Sequence, residues 1–492
     1  MKGLCMTSFS LRQTYSQLPD HFYASAALTP VAAPQLVKLN IPLARTLGLD
    51  PVWLSGPDGV AMLSGSHMPP GVQPLALAYA GHQFGHFVPQ LGDGRALLLG
   101  DVTDASGAIR EVQLKGSGRT AYSRRGDGRA ALGPVLREYV VSEAMAAMGV
   151  PTTRALAAVL TGEQVMRETP LPGAVIARVA SSHIRVGTFQ FFAARQDING
   201  LRTLADFAIA RHYPDASQAP APYLAFLEHV IAAQADLVAQ WMLKGFIHGV
   251  MNTDNMAISG EPIDYGPCAF MEQYDPTTVF SFIDERGRYA YGNQPSMALW
   301  NLTRLAEALL PLLADNQEQA IPVAQQALST FEGRFQATYL EGLRAKLGLK
   351  TVQPEDAGLF RSLLETMQAE QTDFTQIFRA LSTSEAIAGE DVPETLATFG
   401  SWLTLWRQRL AQEPEEPVSA RVAAMKQVNP AFIPRNHLVE AMIKAAVEQN
   451  DFSQFETVLA VCTHPYDDQP GKEAYARPAQ ASERVRHTFC GT

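Results

Sequence analysis

Residues 245–266 read GFIHGVMNTDNMAISGEPIDYG, and this stretch decides how the rest of the chain is interpreted. Its notable groups are HG at 248–249, DN at 254–255 and IDYG at 263–266. The amide of Asn255 and the carboxylate of Asp264 are oxygen donors of the kind that Mg²⁺ takes in proteins. Asn and Asp also suit plain turns, so the stretch alone leaves both interpretations open. The upstream sequence has to decide between a metal site and a turn.

The spacing within this stretch differs from that of an ordinary protein kinase. Kinases carry H-R-D-x-x-x-x-N, in which the catalytic aspartate lies five residues before the metal-binding asparagine. The residue five positions before Asn255 is Val250, which cannot accept a proton. A second acid, Asp254, directly precedes Asn255. The motif therefore predicts a kinase-like nucleotide site that keeps both metal ligands but does not carry out ordinary phosphorylation.

Upstream segments follow the order of a kinase amino-terminal lobe. Gly92 and Gly94 lie in a turn, residues 96–102 form an apolar run, and residues 110–115 alternate between polar and apolar up to Lys115. Alternation and short apolar runs both indicate strands. The glycines would let backbone N–H groups approach phosphates closely. A plain hairpin turn remains an alternative for the two glycines.

A second glycine-rich stretch follows Lys115 and is strongly basic. Arginines beside glycines favour contact with a polyanion, because the backbone and the guanidinium groups can approach it together. A solvated loop is the alternative interpretation. The residues concerned are Gly116, Gly118, Arg119, Arg124, Arg125, Gly126, Asp127, Gly128 and Arg129.

Residues 134–148 are predicted to form a helix that begins at a proline and ends before Gly149. It carries two glutamates, and in kinase-like lobes a helix glutamate orients the strand lysine. Glu138 and Glu143 differ by about 140° around the helix, so only one can face Lys115. Glu138 lies beside an apolar stripe and is preferred, with Glu143 as the fallback.

Composition and charge bound the class of protein. The chain has 492 residues, of which 47% are hydrophobic and 18% charged, so it is globular and can bury large cores. A net charge of −10 argues against binding to duplex DNA. We find no signal peptide and no run of apolar residues long enough to span a membrane, so we expect a cytoplasmic monomer without nucleic-acid or membrane partners.

Cysteine and histidine spacing gives no strong metal signal. The four cysteines form no C-x-x-C pair, which makes a zinc ribbon improbable. His82 and His86 are four residues apart, as a zinc pair on a helix would be. Gly81 and Gly85 argue against a helix there, and no third ligand is evident.

We predict four parts for the chain. Residues 1–75 form an N-terminal extension in which 34–48 reads as short helices broken at Pro42. An α+β core follows, with a β-rich N-lobe over 76–165 and a helical C-lobe over 166–411. The Pro-rich acidic run 412–417 is expected to be a linker into a helical extension and a cysteine-bearing tail, 412–492.

Six long strings make the chain similar to the selenoprotein O family, called YdiU in bacteria. The resemblance implies a protein-kinase-like bilobal fold with a small β-rich N-lobe and a large helical C-lobe. It also implies transfer of AMP from ATP, bound in reversed orientation, to Ser, Thr or Tyr hydroxyls of proteins, with release of pyrophosphate. The strings are YAGHQFGHFVPQLGDGRA (79–96), QLKGSGRTAYSRRGDGRAALGP (113–134), SEAMAAMGVPTTRAL (142–156), HGVMNTDNM (248–256), IDYGP (263–267) and NPAFIPRNH (429–437).

The same resemblance assigns roles to individual residues. The co-substrate would be ATP and the metal Mg²⁺, with Mn²⁺ also suited to oxygen ligands. The implied roles are Gly92, Gly94 and Arg95 in the first nucleotide loop, Asp127 and Gly128 in the second, Lys115 on phosphate with Glu138 as its partner, Arg178 and Arg185 on the terminal phosphates, Asp254 as proton acceptor, and Asn255 and Asp264 as metal ligands.

Two questions stay open at this point. Cys490 is third from the C-terminus, where the family often has selenocysteine, so the resemblance suggests redox control through pairing with Cys268, with Cys462 or with neither. The competing functions are a small-molecule phosphotransferase and a nucleotide-binding pseudokinase scaffold. Val250 argues against the first, and intact Lys115 and Asp264 argue against the second.

Overall fold

The computed structural model describes residues 11–489 and combines an antiparallel sheet with a large set of helices. Cys490 and its predicted redox pairing lie outside the described residues. The sheet has the strand order β1-β3-β6-β7-β10-β9-β2, with β8 added alongside β10. Its strands are β1 Tyr23–Ser25, β2 Gln35–Leu39, β3 Leu75–Leu77, β6 Ala96–Thr103, β7 Ile109–Lys115, β8 Ala130–Ala131, β9 Arg154–Met166 and β10 Pro170–Ala180. Two small hairpins complete the strands: β4 Gly81–Gln83 with β5 His86–Val88, and β11 Phe246–Ile247 with β12 Ala269–Phe270.

Both faces of the sheet are buried, which explains its nearly continuous apolar strands. Successive side chains of a strand point to opposite faces. Leu97 and Leu99 therefore pack into one core with the first three helices, whereas Leu98 packs into the other with the long helix that follows β8. These helices are α1 Ile41–Thr46, α2 Pro51–Ser55, α3 Pro57–Leu63 and α4 Leu132–Ala147.

The remaining helices begin after β10 and form most of the second half of the chain. The helix over Pro222–Lys244 ends at Gly245, whose φ of 69° places it in the left-handed conformation. These helices are α5 Val186–Ala193, α6 Ile198–His212, α7 Pro222–Lys244, α8 Gln294–Leu313, α9 Gln317–Lys346, α10 Asp356–Ala369, α11 Phe374–Leu381, α12 Ser384–Ala388, α13 Gly400–Leu410, α14 Val418–Lys426, α15 Asn436–Gln449, α16 Ser453–Cys462 and α17 Glu473–Ala476.

Two predictions about the chain's organisation are corrected, whereas the predicted linker over 412–417 lies in the connection between the helices Gly400–Leu410 and Val418–Lys426. Residues 35–39 are strand β2 rather than helix, because they pair with β9 at the edge of the sheet, and Pro42 lies in the first turn of α1. The boundary predicted after residue 165 falls inside the β9–β10 hairpin, so the sheet-forming part runs to Ala180. The predicted linker 412–417 is anchored, since buried Glu413 pairs with Arg409 at 2.7 Å.

The architecture is mixed α/β, with an antiparallel sheet beside helices, and the kinase-like division into lobes stays a prediction. Within residues 11–489, none of the helices combines the length and the apolar character that a bilayer crossing requires.

A buried ion pair joins the start of α15 to the start of α11. Arg435, at the start of α15, is fully buried and donates to both carboxylate oxygens of Asp373, which precedes α11. It also donates to the Ala476 carbonyl at 2.8 Å. Removing one partner of such a pair leaves an uncompensated buried charge.

We predict that Arg435→Met lowers the free energy of unfolding by about 3–5 kcal/mol, because Asp373 would stay buried without its partner. Urea denaturation followed by tryptophan fluorescence measures the change. The double variant Arg435→Met/Asp373→Leu should lose less than the sum of the single variants. Wild-type stability in Arg435→Met would contradict the proposed anchoring.

Candidate active site

The predicted site residues converge on one cleft of about 540 Å³ between the glycine-rich loops and the DN turn. The cleft is floored by strand ends of the sheet and closed by the loop that carries Asp264. All predicted site residues except Glu138 line it, namely Gly92, Gly94, Arg95, Lys115, Asp127, Gly128, Arg178, Arg185, Asp254, Asn255 and Asp264. Glu138 lies behind the lining, in contact with Lys115.

Lys115 ends strand β7 and contacts two carboxylates at once. Its Nζ lies 2.7 Å from Glu138 Oε2 and 2.6 Å from Asp264 Oδ1. Glu138 projects from α4 toward the sheet, and its second oxygen accepts from Arg178 at 3.2 Å. Glu143 lies on another face of α4, where it accepts from Arg154 at 2.7 Å. The two glutamates therefore separate around the helix as their spacing predicts.

Two arginines form the inner end of the cleft. Arg178 and Arg185 are each only 4% exposed, so they are not surface ion-pair residues. The ring of Tyr79 lies under the Arg185 guanidinium at 4.2 Å, and Asp93 lies 3.5 Å from its Nη2. Neither Arg178 Nε nor Arg185 Nη2 has a hydrogen-bond partner among the described residues. Buried guanidinium groups with unused donors suit an anionic ligand.

The segment joining β10 to α5 has already used its backbone donors. Ser181 N–H donates to Glu261 at 2.9 Å, and His183 N–H donates to Glu111 at 2.7 Å. Arg185 N–H donates to the Thr188 hydroxyl at 3.1 Å. A nucleobase held at this segment would need such groups free. The inner end of the cleft thus suits phosphates better than a base.

The two glycine-rich loops touch each other over the cleft. Gly92 has a φ of 71°, and a Cβ at this position would lie 2.2 Å from the ring of Tyr122. Gly128 has a φ of 72°, and a Cβ there would lie 2.2 Å from the Gly118 backbone. Both positions therefore require glycine for close approach as well as for conformation. Asp127 is held by Arg167, whose Nη1 lies 2.8 Å away.

The DN turn is a short 3-10 helix, Thr253–Asn255, that buries Asp254. Burial raises the pKa of Asp254 to about 6, with Arg185 opposing the shift. Asn255 donates from Nδ2 to the Val250 carbonyl at 3.0 Å, which leaves its carbonyl oxygen for a ligand. Asp264 has a φ of 74°. Burial opposes its ionisation, but Lys115 and Arg95 hold the pKa of Asp264 below its usual range.

The comparisons with known proteins identify the family of the chain. The family described as Protein adenylyltransferase SelO matches residues 6–463. A Protein nucleotidyltransferase YdiU from Rhodopseudomonas palustris is 60% identical over 492 residues, covering 98% of this chain and 99% of that protein. A Bradyrhizobium protein of the same name is 60% identical over 489 residues, with the same coverage.

The chain belongs to the SelO family. The family resemblance expected from the sequence is confirmed. Relatives of this family carry the name of protein nucleotidyltransferases, so a nucleotide is the ligand to consider for the cleft.

The oxygen-bearing side chains on the wall of the cleft suit a hard divalent cation such as Mg²⁺. Asp264 offers its second carboxylate oxygen and Asn255 its amide oxygen, both on the wall of the cleft. Oxygen donors of this kind bind Mg²⁺ together with phosphate oxygens and water. Among the described residues, no group of three or more His, Cys, Asp or Glu side chains could hold a metal. His82 and His86 lie on a hairpin rather than a helix.

Two polar residues of this SelO-family site were missed by sequence reasoning. Asp93 is buried and accepts from Leu77 N–H and from Gln113 Nε2 at 3.1 Å. Gln113 in turn accepts from Arg178. The available signal was a glutamine at an inward position of a strand, where burial requires a hydrogen-bond partner.

Neither of the described cysteines, Cys268 and Cys462, is activated for disulfide formation with the tail. Cys268 and Cys462 are both buried, and burial raises the pKa of each thiol to about 12. Since the thiolate is the reactive species, neither predicted partner of Cys490 is activated in this conformation. The tail nevertheless reaches the segment that follows Asp264, because Thr488 donates to the Pro267 carbonyl at 2.6 Å.

We predict that Glu138→Gln weakens binding of a non-hydrolysable ATP analogue, because Lys115 and Arg178 would lose their shared anchor. Titration calorimetry should give a loss of about tenfold or more. Glu143→Gln is the matched control on the same helix. It should keep the affinity within about threefold and instead lower the Tm, since Glu143 holds Arg154. Equal losses of affinity in both variants would contradict the assignment.

Proposed function

We propose that the chain transfers AMP from ATP to Ser, Thr or Tyr hydroxyls of proteins and releases pyrophosphate. The observation that carries the proposal is the pair of buried arginines at the inner end of the cleft, beside a segment with no free backbone donors at Ser181, His183 and Arg185. A triphosphate entering with its terminal phosphates first would meet Arg178 and Arg185. The α-phosphate would then lie toward Asp254, and the base would lie under the glycine-rich loops.

The proposed arrangement is that of a protein kinase with the nucleotide turned around. The ion pair between Lys115 on β7 and Glu138 on α4 supports this arrangement. The positions of Asn255 and Asp264 after the long helix α7 support it as well. Gly92, Gly94, Arg95, Asp127 and Gly128 would hold the nucleoside part from above.

The protein's own residues supply the steps of transfer. Asp254 accepts the proton of the acceptor hydroxyl while the oxygen of that hydroxyl forms a bond to the α-phosphorus. The bond between the α-phosphorus and the bridging oxygen breaks, and pyrophosphate leaves with that oxygen. Lys115, Arg178 and Arg185 stabilise the negative charge that develops on pyrophosphate. When bound at Asn255 and Asp264, Mg²⁺ supplies charge neutralisation at the phosphates.

The proton acceptor is suited to neutral solution. With a pKa of about 6, Asp254 is mainly ionised at pH 7 and is more basic than an exposed aspartate. Transfer to phosphorus depends chiefly on positioning and charge. We therefore expect Asp254→Ala to lower the rate of AMP transfer without changing the affinity for ATP.

The deciding experiment uses ATP labelled on either the α- or the γ-phosphate. We expect protein-bound label from α alone, and equal release of pyrophosphate. Label from γ alone would indicate a kinase, and label from neither would indicate a scaffold. Asp264→Ala, which removes the charged metal ligand, should reduce α-labelling by at least about 100-fold.

We also predict that Val250→Asp does not convert the protein into a kinase. The new acid would stand at the ordinary kinase position, but Arg178 and Arg185 would still set the direction of the triphosphate. Val250→Asn is the uncharged control for the buried site. Efficient γ-labelling by folded Val250→Asp, but not by Val250→Asn, would contradict the proposed orientation.

A further inference from the structure

The hairpin β4–β5 reads GHQFGHFV and lies directly on the DN turn. The sequence offers it only as a weak histidine pair, and the proposed reaction does not use it. In the structure it contacts Asn252, which precedes the turn, and the first two residues of the turn, Thr253 and Asp254. His82 N–H donates to Thr253 Oγ1 at 2.6 Å, Gln83 Nε2 donates to Asp254 Oδ2 at 3.3 Å, and Phe84 N–H donates to Asn252 Oδ1 at 2.9 Å.

The approach of the hairpin to Asp254 is as close as a backbone allows. A Cβ on Gly81 would lie 2.6 Å from Asp254 Oδ1, so a larger residue at this position would displace the Asp254 side chain. The hairpin reverses through Phe84 and Gly85, whose φ values are 51° and 86°. This reversal brings the side chain of Gln83 over the carboxylate of Asp254.

Both partners are fixed from other elements, so the contact is between rigid parts. Gln190 of α5 accepts from Thr253 at 2.7 Å and bonds to the His82 ring at 2.8 Å. Tyr289 donates to Asn252 at 2.8 Å. The hairpin and the turn therefore hold one another without the Gln83 side chain, whose amide is left with Asp254 as its partner.

The two oxygens of the Asp254 carboxylate differ in their surroundings. Oδ2 accepts from Gln83, whereas Oδ1 is buried and has no partner among the described residues. A carboxylate free to rotate would exchange the two oxygens. The Gln83 amide on Oδ2 and the Gly81 backbone against Oδ1 together prevent this rotation, so they fix how the carboxylate faces the cleft.

We propose that Gln83 is a positioning residue that orients the Asp254 carboxylate toward the acceptor hydroxyl. The inference rests on the proposed function and adds to it a residue outside the metal and phosphate motifs. It also places the incoming protein segment beside the hairpin, since the acceptor hydroxyl has to reach the Asp254 carboxylate on the wall of the cleft.

Three variants test the proposal in the full-length chain. Gln83→Met keeps the length and volume but removes the donor. Gln83→Glu keeps the shape but places a second carboxylate beside Asp254. Gln90→Met is the matched control, since Gln90 is exposed and lies beyond the hairpin. The readouts are kcat and KM for ATP in α-label transfer to a heat-treated protein extract, together with Tm.

We expect kcat to fall about fivefold to tenfold in Gln83→Met and further in Gln83→Glu, because a hydrogen bond to a charged group is lost and then replaced by repulsion. In Gln83→Met, KM for ATP and Tm should stay at wild-type values, as should all three quantities in Gln90→Met. A purely structural role would lower Tm and would not separate kcat from KM.

Two results would overturn the inference. One is a kcat within twofold of wild type in both Gln83 variants, and the other is a fall in kcat matched by a loss of Tm or of ATP affinity. Failure of the proposed function is distinguishable, because then wild type itself would transfer no α-label.

Discussion

The cleft depends on one buried carboxylate, that of Glu138. It holds Lys115 at 2.7 Å through one oxygen and Arg178 at 3.2 Å through the other. Two cations so close together repel one another and would turn away from the cleft without a shared anion. Glu138 therefore orients both cations, with Asp264 as a second partner of Lys115 and Gln113 as a second partner of Arg178. Because α4 packs against the sheet that carries both cations, the fold itself fixes this three-residue unit.

The sheet is stiffened by the segment that precedes it in sequence. Helices α1 to α3 cover the face of the sheet that α4 leaves open, and β2 extends its edge. Gln113 and Arg178 are paired residues on neighbouring strands β7 and β10. A sheet buried on both faces cannot shift these strands without disturbing two cores. Residues 11–75 thus contribute to the site, although none of them lines the cleft.

Part of this arrangement could be predicted from sequence because it follows local geometry. The angle between Glu138 and Glu143 on one helix is set by the helical repeat, and the structure shows the pairing that this angle favours. Strand β2 could not be predicted, since its conformation comes from pairing with β9, more than a hundred residues away. The contact of Gln83 with Asp254 spans 171 positions and leaves no periodic signal.

The absence of an acid at position 250 and the presence of the hairpin are physically connected. Val250 is buried and its carbonyl accepts the amide of Asn255, so a carboxylate there would have to be buried. Asp254 stands four residues later, in a turn that cannot by itself fix a short side chain. The hairpin supplies the missing constraint by approaching at Gly81 and donating from Gln83. In the proposed reaction the proton acceptor is moved along the loop to Asp254, and β4–β5 is the element that contacts it there.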